Sequence, residues 1–135
     1  MTSAPVHPAG IAAVLPDLWA PRVIAEVDDM YVKVGRVQGD FCWHVHEEED
    51  ELFYVLKGSL RIEMEAGTIE LCTGELFVVP KGTQHKPVAD GECHIMLMER
   101  KSTEHTGDVV NDMTRSIDDQ LSAPESQSSD TTRSL

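Results

Sequence analysis

Apolar and polar positions exchange over short runs between residues 30 and 100, with turn-forming pairs between the runs. Met30 to Val37 alternates, with Val32, Val34 and Arg36 on one face and Lys33, Gly35 and Val37 on the other; the pattern does not decide which face is inside. Phe41 to His46, Glu51 to Leu56, Ser59 to Glu65, Thr68 to Leu71, Glu75 to Val79 and Cys93 to Glu99 read as further strands. Gly39-Asp40, Lys57-Gly58, Ala66-Gly67, Thr73-Gly74, Lys81-Gly82 and Asp90-Gly91 supply the turns between them. No long segment carries a 3.6-residue period. Such a chain predicts an all-β sandwich or barrel, not a parallel α/β sheet.

The flanks differ. Residues 1–21 hold Pro5, Pro8, Pro16 and Pro21, which predicts an irregular lead-in with a helical turn near Ile11 to Leu15. Pro21 lacks an N–H and belongs outside a central strand. Residues 22–101 make the β domain. Residues 102–121 form a polar extension with room for one short helix over 111–121. Residues 122–135 have almost no apolar content and are expected to be a disordered tail, since they cannot bury enough surface to offset ordering.

Charge narrows the partners. The 135 residues carry a formal net charge of −13, which argues against nucleic acid or an anionic membrane. No apolar run approaches the roughly 18 residues of a membrane span. The N-terminus lacks the basic region of a secretory signal, so the default location is the cytoplasm. Cys42, Cys72 and Cys93 form no CxxC pair and read as free, buried thiols of a reducing compartment.

The candidate chemistry starts at His44-Val45-His46. Side chains at i and i+2 of a strand share a face, so the two imidazoles stand roughly 6–7 Å apart along the strand and can reach one ion. Phe41, Trp43 and Val45 fall on the opposite side, while Cys42 shares the histidine face. Glu47, Glu48 and Glu49 read as a solvated acidic turn. Glu51 opens the apolar strand Leu52 to Leu56 and returns beside the histidine strand, with Asp50 as its competitor. His85 follows Pro80-Lys81-Gly82-Thr83-Gln84, a turn that aims it back into the barrel. Three imidazoles and a carboxylate suit iron, manganese, nickel, copper, cobalt or zinc, and disfavour calcium and magnesium. Four protein ligands leave open positions on a six-coordinate ion. His7 and His105 fall in irregular segments expected to be exposed. His94 starts a strand.

Taken together, these residues resemble the cupin superfamily, in particular its small single-domain bacterial members. The first cupin motif, a glycine, His-x-His, a glutamate and a second glycine, is matched by Gly39, His44, His46, Glu51 and Gly58. The gap from Gly39 to His44 is one residue shorter than the commonest form. The second motif is matched by Gly74, Pro80, Gly82 and His85; the asparagine that often follows is replaced by Ala89. The likeness covers roughly residues 30–100. It implies a jelly-roll-like barrel with a cavity, a ligand set of His44, His46, Glu51 and His85, and a homodimer.

The resemblance leaves the reaction open. One expectation is a metal-dependent enzyme of dioxygenase or isomerase/lyase type acting on a small oxygen-bearing molecule. Cys42, Phe53, Met96 and His94 are the expected pocket residues, with Glu75 and His94 as candidate bases. The alternative is a non-catalytic module that binds or senses a small molecule. A barrel with an empty site ranks below both.

Overall fold

The computed structural model describes residues 4–121. Its elements are α1 (Pro8–Ala13), β1 (Arg22–Val27), β2 (Met30–Asp40), β3 (Glu51–Lys57), β4 (Ser59–Met64), β5 (Gly67–Cys72), β6 (Leu76–Val79), β7 (His85–Arg100) and α2 (Ile117–Leu121). They build a jelly-roll-like antiparallel β fold. β1, β2, β7, β3 and β6 lie side by side in that order, and the β4–β5 hairpin joins through the first residues of β7. The tail expected over 122–135 lies outside the described residues.

β7 organises the molecule. It pairs with β2 along nearly its whole length, with β4 near His85 and with β3 near Glu99. The turn expected at Asp90-Gly91 does not form, because the ladder to β2 continues on both sides through a register shift between Val37 and Gly39. Gly58 sits at φ 91°, where a Cβ would meet the Glu92 carbonyl at 2.9 Å, so the β3–β4 turn needs glycine.

Strand parity decides what faces inward. Val37, Phe53, Val55, Leu60, Ile62, Ile95 and Leu97 belong to the interior cluster. Val34 faces the other way and packs with Ala12, Leu15 and Ile24 beneath α1. The lead-in therefore covers an outer face that would otherwise expose β2. Its helical turn lies at Pro8–Ala13, slightly ahead of the expected place, with proline in the first turn, where its missing N–H costs nothing.

Three further expectations change. β1 was not legible as a separate strand; it pairs with β2 across a turn that places Asp28 at φ 52°. The segment Phe41 to His46 is not a regular strand but contributes one isolated bridge, His44 with His85. All three cysteines are free, yet only Cys93 is buried; Leu71 takes the inward position of β5 and leaves Cys72 exposed.

Candidate metal centre

His44 and His85 face each other in the isolated bridge. The His44 N–H donates to the His85 carbonyl at 3.0 Å, and the His85 N–H returns to His44 at 2.9 Å. Their rings lie 4.3 Å apart. The Gly82 N–H donates to the His46 carbonyl at 2.8 Å and ties the first histidine segment to the turn before His85. The Asp50 carboxylate accepts from the Lys81 N–H at 2.8 Å, so this residue holds the turn and leaves the centre to Glu51. Among the described residues, His44, His46, Glu51 and His85 bring one potential ligand atom each within 4.8 Å of one another, and all four are buried.

Two hydrogen bonds orient the rings. His44 Nδ1 lies 2.9 Å from the Cys42 carbonyl, and His85 Nδ1 lies 2.9 Å from the Thr83 carbonyl. A carbonyl only accepts, so both Nδ1 atoms carry the proton and both Nε2 lone pairs are free to coordinate. His46 Nε2 and His85 Nε2 stand 3.3 Å and 3.4 Å from Glu51 Oε1. None of these three atoms has a hydrogen-bond partner, although all are shut away from water. Orphaned buried polar atoms are costly, and three converging on one point have the chemistry of a divalent-cation site. The donor set fits a transition metal, with His44, His46 and His85 as nitrogen ligands and Glu51 as the anion.

Electrostatics agree. Burial, with His85 second, holds the His44 pKa down at about 4. Burial alone would also lower His46, but Glu51 outweighs it and raises its pKa above the ordinary value. Burial favours the neutral form of Glu51 too; the neighbouring Glu99, His46 and His85 overcome this and hold it well below the carboxylate range. Glu99 moves the opposite way, pushed up by burial and by the Glu51 charge. Glu99 stands opposite Glu51 in the β3–β7 register, and Lys33 reaches it from β2 at 2.6 Å. Lys33 is 1% and Glu99 2% exposed, so a buried Lys33–Glu99–Glu51 row backs the Glu51 carboxylate.

A mostly apolar cavity opens on His44 and Glu51. Its walls include Trp19, Phe41, Phe53, Leu97 and His105. Of the expected pocket residues, Phe53 lines it. The structure places the other three elsewhere. Cys42 contributes its carbonyl to His44 and its side chain is not in the wall. Met96 packs outward near α1, because Ile95 and Leu97 take the inner positions of β7. His94 shares the Met96 parity and pairs with Glu92 at 2.8 Å. Glu75 caps a turn by accepting the Cys72 N–H and does not line the cavity. Phe41 was expected to face away, but the irregular backbone of its segment turns its ring onto His44, edge to face, at 5.4 Å.

His105 was expected to be exposed and is instead part of the cavity, 5.2 Å from the Phe41 ring. Nothing in its local sequence marked it; the long return of residues 102–121 across the barrel mouth puts it there. Gly107 makes that return possible. It sits at φ 59°, and a Cβ would collide with the Val45 carbonyl oxygen and lie 3.1 Å from His44 Cδ2. The Val45 N–H also donates to Asp108 at 3.1 Å. Gly107→Ala is therefore expected to destabilise the protein by about 2–4 kcal/mol, the range of a forced backbone clash plus left-handed strain. Urea unfolding at equilibrium measures this, and a change below about 0.5 kcal/mol would refute the contact.

Known proteins bear on this geometry. A protein of Bacillus subtilis (strain 168), described as uncharacterized protein YdbB, is 34% identical over 82 residues, 60% of this chain and 73% of that one. A cupin-2 domain containing protein from Shewanella frigidimarina has a crystal structure that is similar at TM-score 0.69 and 41% identity, covering 71% of this chain and 94% of that one. A Neisseria meningitidis protein structure matches at TM-score 0.66 and 23% identity, covering 73% of this chain and all of that one, a likeness of fold. The family model described as Cupin domain (Cupin_2) matches residues 29–110, which hold the four clustered side chains and His105. By its sequence, its fold and this match, the chain belongs to the cupin superfamily.

Proposed function

We propose that this cupin is a metal-dependent enzyme acting on a small oxygen-bearing molecule, by dioxygenase-type or isomerase/lyase-type chemistry. One observation carries the reading: the cavity ends on His44 and Glu51, two members of the buried cluster, so a molecule inside it meets the centre directly. A structural metal site has no need of an adjoining cavity.

His44, His46, His85 and Glu51 would hold the ion. When bound, a divalent transition metal polarises a substrate oxygen or activates water or dioxygen. The chain's own residues do the rest. The Cys42 and Thr83 carbonyls keep the Nδ1 protons of His44 and His85 in place. Trp19, Phe41 and Phe53 exclude water from one side and offer flat apolar surface to the substrate.

The test begins with metal content and ends with turnover. Protein prepared without added metal is expected to carry about one transition-metal ion per chain by elemental analysis. Oxygen uptake that requires this ion selects the dioxygenase branch, and turnover under nitrogen selects isomerase or lyase. A metal-loaded protein that binds small molecules without converting any would select the binding module. Affinity carries a pH signature, because protons compete for the imidazoles. The raised pKa of His46 makes it the first to compete as pH falls, and His44 competes only near 4. Apparent affinity should therefore begin to fall above pH 6.5 and drop further on the way to about pH 5. Flat affinity across that span contradicts the ligand set.

A further inference from the structure

The acidic run after His46 takes no part in the metal cluster, and the fold gives it a place. Glu47, Glu48 and Glu49 line an open pocket with Glu104 and Asp108 of the 102–121 return, and His46 stands in the same wall. Two contacts hold the pocket in shape. Glu49 accepts the Ser102 hydroxyl at 2.8 Å, and Asp108 accepts the Val45 N–H at 3.1 Å. The lining contains no lysine or arginine. Among the described residues none of the five carboxylates forms an ion pair, whereas carboxylates elsewhere do, such as Asp40 with Lys86, Asp90 with Arg61 and Glu26 with Lys101. Negative charges on one concave surface with no cation among them leave a strong negative potential there, since a cleft focuses the field of its walls.

An acidic surface alone is usually a solvated face; this one ends on a member of the cluster. The His46 ring is 5% exposed, and its Nε2 is one of the buried atoms left without a partner. One side chain therefore belongs both to the pocket wall and to the cluster. The Glu49 charge is felt at that ring, after the larger effect of Glu51. His44 and Glu51 lie instead on the apolar cavity, so the centre stands between two openings of opposite character. They also differ in room: the apolar cavity offers ≈ 40 Å³ to the centre of a water molecule and the acidic pocket ≈ 180 Å³. One water needs about 10–15 Å³ on that measure, so an ion that keeps six waters needs about 60–90 Å³. Of the two openings, the acidic pocket has that room. Trp19, Phe41 and Phe53 in the other would strip an ion of water and offer nothing polar in return, a costly passage for a charge.

We propose that this pocket is the loading port of the metal centre: Glu47, Glu48, Glu49, Glu104 and Asp108 gather a hydrated divalent cation from solution and deliver it to His46, and the apolar cavity is left to the substrate. The inference rests on the metal reading above and concerns the route, not the ligand set. Its signature is a rate. Charges around an entrance raise the local concentration of the cation and speed its capture by about 10–10³-fold, an effect that salt removes. These carboxylates meet the ion on its way in, so release, set by the four ligands, changes little without them.

Metal-free full chain mixed with Zn(II) in a stopped-flow instrument tests this, with a fluorescent zinc indicator following uptake and excess EDTA drawing out release. The variant is Glu48→Gln/Glu104→Gln, because both side chains are exposed and neither has a hydrogen-bond partner among the described residues. The control, Asp17→Asn/Glu70→Gln, removes the same charge from exposed positions outside the pocket. At an ionic strength of about 0.01 M the variant takes up zinc about tenfold more slowly than wild type, and the control is slowed less than about threefold. At about 1 M, where charges act over only about 3 Å, the difference disappears. Release stays within about threefold of wild type in both. A variant that loads as fast as wild type at low salt, or a control slowed as much as the variant, overturns the route and leaves the metal reading standing. Wild type that takes up no zinc overturns both. Should the variant fail to fold, wild type decides alone: uptake equally fast at the two salt concentrations overturns the inference, and uptake that salt slows by about tenfold or more sustains it.

Discussion

Glu51→Gln lowers affinity for Zn(II) or Ni(II) by about a hundredfold or more, while the protein stays folded. Glu51 is the one carboxylate in a cluster whose other members are imidazoles. Glutamine keeps the shape and removes the charge. Loss of a supporting residue around a metal ligand already costs about 10–100-fold, and loss of the ligand charge itself lies at or beyond that limit. The metal-free protein should stay folded, because glutamine fills the same buried space and can still hydrogen-bond to the neighbouring imidazoles. Two readouts separate these effects. Equilibrium dialysis reports affinity, and thermal melting with excess metal reports coupling: wild type gains about 2.7 kcal/mol at a hundred times Kd, and the variant gains little at the same concentration. Affinity within about threefold of wild type, well short of a tenfold step, removes Glu51 from the ligand set.

The centre was legible because its residues obey local rules. His44 and His46 are two apart, His85 follows a Pro–Gly turn, and Glu51 begins an apolar strand; each rule needs only a few neighbours. Even so, His44 and His46 do not ride a regular strand. They keep their geometry through the bridge to His85 and the Gly82 hydrogen bond, contacts between distant segments that no alternation pattern encodes. The same irregularity reversed Phe41, since parity holds only where the pleat does. Met96 and His94 failed for the opposite reason. β7 is regular there, but which parity faces in depends on its β2 and β3 neighbours, and α1 makes the outer face apolar as well. His105 was beyond local reading altogether. Its place depends on a polar loop folding back, on Gly107 fitting against the Val45 carbonyl, and on the Arg115 N–H closing the ring.

Lys33→Met should be the most destabilising single change outside the His44–His46–Glu51–His85 cluster, and its cost should depend on pH. The alternation of β2 put Lys33 with Gly35 and Val37, the face that proves to be the interior. A lysine there survives only with a partner, and Glu99 supplies it at 2.6 Å. Removing the cation leaves Glu99 buried beside Glu51 with nothing to balance it, a loss of about 3–5 kcal/mol near neutral pH when the carboxyl stays charged. Glu99 has an escape, however. Its folded pKa already lies well above the usual carboxylate value, and losing Lys33 raises it further. A carboxyl whose folded pKa exceeds its unfolded one contributes stability below the unfolded value, about 4.3 for Glu, and loses it as pH rises through the folded pKa. The variant's deficit against wild type should therefore be smallest near pH 5 and grow toward pH 8. Lys33→Met/Glu99→Gln should recover most of the neutral-pH loss, because no unpaired charge then remains inside. Urea midpoints for the three proteins across that pH range measure the effect. A deficit that is constant with pH, or a double variant no better than Lys33→Met, would mean that lost packing, and not a stranded carboxylate, sets the cost.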